Sequence, residues 1–584
     1  MSGAPHLSSD QIYDVAVVGA GVSGAYTAYR LMKDWRQSPA LSSLVERRGG
    51  DNLKIGMFDT LDRVGGRLWS HRFEEAQDLV MELGGQGFTR LMNNVWGLAT
   101  KELGLDVVPS PSFNQGLLKY MRGSRFTDAA FSDPQNFPSP NSEHLDYLIR
   151  YFVEDGEKAS PGEVVMGKWF DAIPGMREAV GEISKMLCDR QAGDFDDVFP
   201  KITELLRLVR DARISSNIRP GAPAIWEYGF WNWMLEVVSN EAYKLNVDSA
   251  FTISFDRNYN LYDTIVGYLA VFFAYSDKTA FWTISDGYDQ IPRKMVDAVC
   301  DAGGDLVQST LLRGVEHGRA DGEDLLMLDL HDLVSGRDSV VAARKVVLAL
   351  PKAGLARLDR SSVMFRNPKF EEMLNAVNAT PASKLYMLYD RAWWADAMPN
   401  GQVEFGYSTT DLPMKACYYI SRSAKTQRAL VLSSLTDAGN AQFWNRFGAE
   451  AVRTTAMQAI NDGTANTLYA PPGMQAEVNA QLQQLHFDPG TGTVPPALDA
   501  VFQNWMSFPF EGGWHLWYPD VKSWEIMPAI RQPQQGVDLF ICGEAYSALQ
   551  GWVEGGINTA EKMLQDHFCL PKASWISKDY DVGP

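Results

Sequence analysis

A short apolar run, Tyr13-Asp14-Val15-Ala16-Val17-Val18, ends on Gly19-Ala20-Gly21-Val22-Ser23-Gly24, and Ala25 to Trp35 continues at helical spacing. In such a strand, turn and helix the first glycine makes the tight turn and the second lets backbone approach a pyrophosphate. The third permits close packing of helix on strand. The helix N-terminus adds amides and the positive end of its dipole. Leu53 to Phe58 reads as a second strand and ends on Asp59, a carboxylate able to accept hydrogen bonds from an adenosine ribose. Gly19, Gly21, Val22, Ser23, Gly24 and Asp59 are thus the first expected cofactor contacts. The fingerprint serves nicotinamide and flavin dinucleotides alike, and the alternative is a tight glycine turn without a ligand.

The residues that follow decide between the cofactors. Arg63-Val64-Gly65-Gly66-Arg67 and the later Ile541-Cys542-Gly543-Glu544-Ala545-Tyr546, with Gln550-Gly551-Trp552-Val553-Glu554-Gly555-Gly556, form three ordered motifs together with the glycine turn. This set resembles the flavin amine oxidases over nearly the whole chain. Within them Ser383-Lys384-Leu385-Tyr386, Trp393-Trp394 and Ser408-Thr409-Thr410-Asp411-Leu412-Pro413 are most similar to the L-amino acid oxidases.

The resemblance implies FAD as cofactor, contacted by Arg67, Gly84, Gly85, Leu312, Trp505, Gly543, Glu544, Gly551, Trp552 and Val553 beside the glycine-turn residues. The closing motif lacks the Cys or His that some relatives bond to flavin, so the FAD is expected to be noncovalent. Lys384 is the expected catalytic residue, holding a water near flavin N5; its bland alternative is an exposed strand lysine paired with a carboxylate. Trp514, in Phe510-Glu511-Gly512-Gly513-Trp514, and Trp552 are expected to face the substrate. Trp514, His515, Trp517 and Trp552 suggest an aromatic-walled pocket for large or apolar side chains.

Relatives place an arginine after Glu82-Leu83-Gly84-Gly85 to grip the substrate carboxylate through a bidentate fork. Here Gln86-Gly87-Phe88-Thr89 intervene before Arg90, the expected clamp, whose alternative is an ordinary surface or ion-paired arginine. The tyrosine that often helps should fall near Ser433-Ser434-Leu435-Thr436 and is absent. A histidine of some relatives is replaced around Asp256-Arg257-Asn258-Tyr259.

The β-α-β unit around the glycine turn carries an insertion, Arg36 to Asn52, expected to be an exposed loop. Asn141 to Tyr262 is mostly helical in periodicity, as in Ile202 to Val209 and Trp231 to Tyr243, and Ser132 to Ser142 reads as the linker into it. Arg344 to Leu350 and Val537 to Cys542 have the fully buried character of central parallel strands. Ala382 to Ser434 alternates strand-like segments with turns at Asn400-Gly401 and Asp411-Leu412-Pro413, suggesting a separate mixed or antiparallel sheet. Asp488 to Pro496 should be a surface loop. The expected fold is α/β: a discontinuous Rossmann-like FAD-binding domain (11–75, 283–365, 530–570), a mixed-sheet substrate domain (76–140, 366–529) and a mainly helical domain (141–282).

The chain has 584 residues, 45% of them apolar and 21% charged, a balance that favours a globular protein over disorder. Its net charge of −19 disfavours nucleic acid and anionic lipid as partners. The five cysteines, Cys188, Cys300, Cys417, Cys542 and Cys569, lack paired spacing and read as buried thiols, with no metal site expected. Met1 to Asp10 has no signal-like character, and the longest apolar run, Ile265 to Tyr275, is too short to span a bilayer; a cytoplasmic protein and a homodimer are expected. The expected reaction is oxidation of an L-amino acid to oxo acid, ammonia and hydrogen peroxide. The alternatives are an amino-acid 2-monooxygenase, a primary amine or polyamine oxidase, and a flavoprotein scaffold without turnover.

Overall fold

A computed structural model describes residues 12–110, 115–138, 146–189, 195–250, 258–276, 280–320, 322–398, 405–447 and 470–584. Met1 to Asp10, Pro140, Asp256, Arg257 and the Asn400-Gly401 turn lie outside these residues.

The first strand, Ile12–Val18, runs parallel to Ile55–Phe58 on one side and to Asp338–Leu348 on the other. All but Tyr13 of its side chains are buried, which suits a strand covered on both faces. Leu539–Ile541 pairs in parallel with Asp338–Leu348, Asp305–Val307 extends the sheet beyond Ile55–Phe58, and Thr310–Ala320 and Glu323–Asp332 form its antiparallel edge. One seven-stranded sheet is therefore assembled from distant stretches of chain.

The helix Val22–Asp34 packs on this sheet beside Val553–Phe568. Tyr26 donates its hydroxyl to Glu561 at 2.8 Å, and Arg30, also fully buried, forms an ion pair with Glu561 and donates to the Pro571 carbonyl. These contacts bring the closing motif against the glycine turn.

A second seven-stranded sheet has the order Asp499–Asn504, Ala382–Tyr389, Ala429–Asp437, Ala416–Arg422, Gly406–Thr410, Gly116–Met121, Ser124–Phe126. It is antiparallel except where Gly406–Thr410 meets Gly116–Met121. Between residues 161 and 276 the described chain is mainly helical. The apolar run Ile265 to Tyr275 belongs to the helix Leu261–Ser276.

Three expectations need correction. The insertion Arg36 to Asn52 is largely a helix, Pro39–Arg48: Ser38 caps it by accepting from Leu41 N, Pro39 opens it, and Gly49 ends it. Leu41, Leu44 and Val45 are buried, so it is no exposed loop. The periodicity of Trp231 to Tyr243 spans two helices, Phe230–Val237 and Asn240–Ser249, separated where Ser239 becomes an N-cap accepting from Ala242 N. Of the cysteines only Cys417 and Cys542 are buried; Cys188, Cys300 and Cys569 are exposed because they sit at helix ends or, for Cys300, on the outward face of Gln290–Asp301.

Candidate active site

A cavity of about 680 Å³ runs from the glycine turn, between the two sheets, to the helix Leu261–Ser276. At its first end Gly19 adopts φ +102°, where a Cβ would stand 2.5 Å from the Ala349 carbonyl oxygen. A Cβ on Gly24 would lie 1.8 Å from the carbonyl oxygen of Gly19. Gly24 therefore sets the approach of helix to strand and does not itself line the cavity, unlike Gly19, Gly21, Val22 and Ser23. Asp59, buried at the end of its strand, accepts from the backbone N–H groups of Ala20 and Leu61. Burial raises its pKa, an effect these two hydrogen bonds partly offset.

Arg63 donates to the carbonyls of Val64, Gly66 and Leu68 and lies over the Trp69 ring, so it shapes the loop that presents Arg67. Arg67 donates to the Gly513 carbonyl at 2.9 Å and pairs with Glu544 at 2.9 Å. Glu544 also accepts from His515 N, His515 Nδ1 and Gly551 N. Burial alone would raise the Glu544 pKa, but the Arg67 charge and the His515 contacts outweigh it and hold the carboxyl well below the ordinary range. His515 is shifted down by burial, against the pull of Glu544. The ring is therefore turned to Glu544 and away from the cavity, which Trp514, Leu516 and Trp517 line without it. The expected aromatic wall thus loses His515.

Lys384 projects from Ala382–Tyr389, where it stands opposite Leu435 on one neighbouring strand and Gln503 on the other. It is 5% exposed, which excludes a surface lysine. Its Nζ donates to the carbonyls of Glu82 (2.8 Å) and Gly84 (2.6 Å) and to Gln86 Oε1 (2.5 Å). Burial brings its pKa down to about 7, against a smaller upward pull from the Glu82 carboxylate. Glu82 accepts from Tyr288 N and Ser70 Oγ, yet burial lifts it to about 7. Trp505 donates its indole N–H to Leu83 at 2.8 Å and backs Gly84.

Gly84, Gly85, Leu312, Gly543, Gly551, Val553, Trp505, Trp514 and Trp552 all border the same cavity as Lys384 and the glycine turn. Trp552 stacks on Phe281 with centroids 6.3 Å apart, and Tyr275 meets Phe281 edge-on at 5.5 Å. Tyr418, from the strand Ala416–Arg422 that adjoins Ala429–Asp437, and Tyr407, from Gly406–Thr410 one strand beyond it, complete the aromatic end.

Arg90 is not among the lining residues. Phe88 exchanges backbone hydrogen bonds with Trp282 and stacks on Tyr288, so Gly87 is the last residue of this segment at the cavity. Two positions beyond Phe88 the Arg90 guanidinium lies over Phe195, 5.2 Å from the ring centroid. The expected carboxylate clamp is thus displaced by the residues inserted before it.

Gln86, Tyr275, Phe281, Tyr407 and Tyr418 were missed as site residues. Only Gln86 had a signal, its place directly after Gly84-Gly85. Asp263 was also missed; it lines the cavity from the first turn of Leu261–Ser276 and accepts from Ser523 Oγ at 2.8 Å.

The chain is similar to Aplysianin-A of Aplysia kurodai, 23% identical over 96% of this chain and 91% of that protein. It is likewise similar to Achacin of Lissachatina fulica, 24% identical over 95% and 93%. Its fold is similar to that of putrescine oxidase solved with putrescine bound, at a TM-score of 0.58 and 15% identity, covering 97% of this chain and all of that one. Residues 50–564 match the family of flavin containing amine oxidoreductases, and with a dinucleotide cradle and a buried lysine on one cavity the chain belongs to that family.

Proposed function

We propose that this protein is an FAD-dependent oxidase of L-amino acids, yielding a 2-oxo acid, ammonia and hydrogen peroxide. The observation that carries the reading is the continuity of one cavity from the glycine turn to Lys384 and the Trp514–Trp552 wall.

The residues fit the cofactor. A Cβ on Gly21 would touch the Gly66 Cα at 3.8 Å and the Gly65 carbonyl oxygen at 4.0 Å without crowding either, a loose fit that suits a pyrophosphate passing the helix N-terminus. Asp59 suits the adenosine ribose, while Arg67 and Glu544 suit the polar linker beyond the phosphates. No cysteine or histidine lines the cavity among the described residues, which supports noncovalent binding. When bound, FAD supplies acceptance of two electrons from the carbon bearing the substrate amine and their delivery to oxygen.

Lys384, poised near neutrality, can hold or release a proton at Nζ beside the reacting end. All three of its donor directions are met by protein oxygens, so a water there must replace the Gln86 side chain as acceptor. Trp514, Trp552 and Phe281 exclude bulk water and orient the substrate amine.

The position of Arg90 favours a second reading, a primary amine or polyamine oxidase, because a substrate without a carboxylate needs no clamp. Purified protein should be yellow and bleach anaerobically with L-amino acids, releasing an oxo acid and peroxide in air. Bleaching by amines alone selects the second reading, an amide product indicates a monooxygenase, and colourless protein that cannot be reconstituted with FAD overturns both readings.

A further inference from the structure

Of the residues Gly84-Gly85-Gln86-Gly87 that border the cavity, Gln86 alone carries a side chain that can hydrogen-bond. A Cβ at Gly87 would stand 2.8 Å from the Trp282 carbonyl oxygen, so no second side chain fits beside it. Gln86 accepts at Oε1 from Lys384 Nζ, 2.5 Å away. Its Nε2 has no hydrogen-bond partner among the described residues, and it is not a buried atom: Gln86 is partly exposed and keeps surface on the cavity it lines.

The three partners of Lys384 are not equivalent. Glu82 O and Gly84 O are backbone carbonyls, fixed in place and able only to accept. An ammonium has three N–H groups and satisfies both of them together with Gln86 Oε1. A neutral amine has two N–H groups and one lone pair, so one of the three partners must become a donor. Only the Gln86 carboxamide can do so, by a half-turn about its terminal torsion that exchanges Oε1 and Nε2. The group that Gln86 shows to the cavity is exchanged at the same time.

Glu82 is the charged group that faces Lys384, and its carboxyl is turned to Tyr288 N and Ser70 Oγ. Tyr386, on the lysine's own strand, donates to Glu82 O; burial holds Tyr386 and Tyr288 well above the ordinary phenol range, so both stay neutral. Asp289, next to Tyr288, is engaged by Ser70 N and Arg293. Leu435 and Gln503, opposite Lys384 on the flanking strands, add no charge. Burial brings Lys384 down to about 7, which puts its change of protonation near neutral pH.

We infer that Gln86 is a specificity-determining residue whose carboxamide turns over with the proton on Lys384, offering N–H to a bound molecule when the lysine is an ammonium and its carbonyl when the lysine is an amine. The substrate amine, itself a donor, is thus held best when Lys384 is in the form that can take up a proton. This deepens the oxidase reading above and rests on it for the identity of the substrate.

Two neutral bicyclic probes of similar size test the exchange without turnover: indole, which can only donate through its N–H, and 1-indanone, which can only accept through its carbonyl. Calorimetry of the wild-type holoprotein between pH 6 and 8.5 should show indole binding tighten and 1-indanone binding weaken, each by about three- to tenfold, the size of one neutral hydrogen bond. Neither probe titrates in that range, so the change belongs to the protein. Gln86→Leu, which keeps the bulk and loses both amide groups, should bind the two probes independently of pH, and so should Lys384→Met. Anaerobic flavin reduction then separates the two readings. If no amino acid or amine bleaches the flavin but the opposed pH dependences are present, the oxidase reading falls and the role of Gln86 stands. Bleaching accompanied by pH-independent binding of both probes to the wild type overturns the role of Gln86 alone. Opposed dependences that survive in Gln86→Leu would belong to Glu82 and overturn it as well.

Discussion

Lys384 reaches Glu82 O, Gly84 O and Gln86 Oε1 from a strand buried throughout, so its ammonium is held by dipoles in place of water. Lys384→Met should leave the flavin spectrum intact and lower kcat/KM about 10²- to 10⁴-fold, the usual range for loss of a proton-handling group. Because the folded pKa lies near 7, the neutral amine predominates above that pH; wild-type kcat/KM should therefore rise through about pH 7, a limb the methionine variant lacks. Stopped-flow reduction between pH 6 and 9 measures both. Arg90→Ala, by contrast, should keep kcat/KM within about threefold, as expected of a substitution away from the cavity. A loss of a hundredfold would return Arg90 to the substrate. Lys384 was legible because its neighbours form a motif, whereas Asp263 and Tyr275 were not. Their meaning depends on which face of a helix meets the cavity, and no local residue pattern encodes that.

At the level of elements, the glycine turn and the helix Pro39–Arg48 lie close in sequence but depend on different physics. Gly24→Ala would place a methyl 1.8 Å from the Gly19 carbonyl oxygen. Helix and strand must then part, and the protein should be isolated with little or no flavin, read directly from its absorbance. Ser38→Ala removes the cap on Leu41 N and a hydrogen bond to the Phe568 carbonyl. About 1 kcal/mol of stability should be lost with flavin retained, seen as a lower Tm. The central strands were readable because burial on both faces leaves an unbroken apolar run. The helix Pro39–Arg48 was misread because proline, paired arginines and paired glycines signal a loop by composition, although Ser38, Pro39 and Gly49 occupy the start and stop positions of a helix. The split at Ser239 escaped for a related reason: periodicity continues across a break when both helices face one core.

Across the whole molecule, buried acids set the dependence on pH. Glu82, Glu554 and Asp263 are each raised by burial to about 7, and Lys384 is lowered to about 7. The folded state keeps protons on these carboxyls that the unfolded chain releases near pH 4 to 4.5. Their contribution is therefore present below that range and is lost as pH rises toward 7, by about 3 to 4 kcal/mol per group at most. Between 7 and 10.5 the unfolded chain holds a proton that folded Lys384 has released, and stability recovers. Tm measured by circular dichroism should fall from pH 5 to 7.5, and Glu554→Gln should flatten that slope even though its links to Asn94, Val95 and Tyr580 are weakened. An unchanged slope would show that Glu554 is ionised throughout. The interleaving of distant segments in the first sheet was legible from motif order. The joining of both sheets and the helical wall around one cavity was not, because it depends on packing between parts of the chain hundreds of residues apart.

The pairing of Leu539–Ile541 with Asp338–Leu348, and the reach of Glu544 to Arg67, also set a timetable for biosynthesis. A ribosome adding about 5 to 20 residues per second makes the glycine turn roughly half a minute to two minutes before the arm that closes the cleft. Until then the exposed edge of Asp338–Leu348 and the open cradle belong to a nascent chain vulnerable to mispairing. Retention of flavin should accordingly begin only after release of the full chain, and ribosome-stalled products ending before Leu539 should remain colourless.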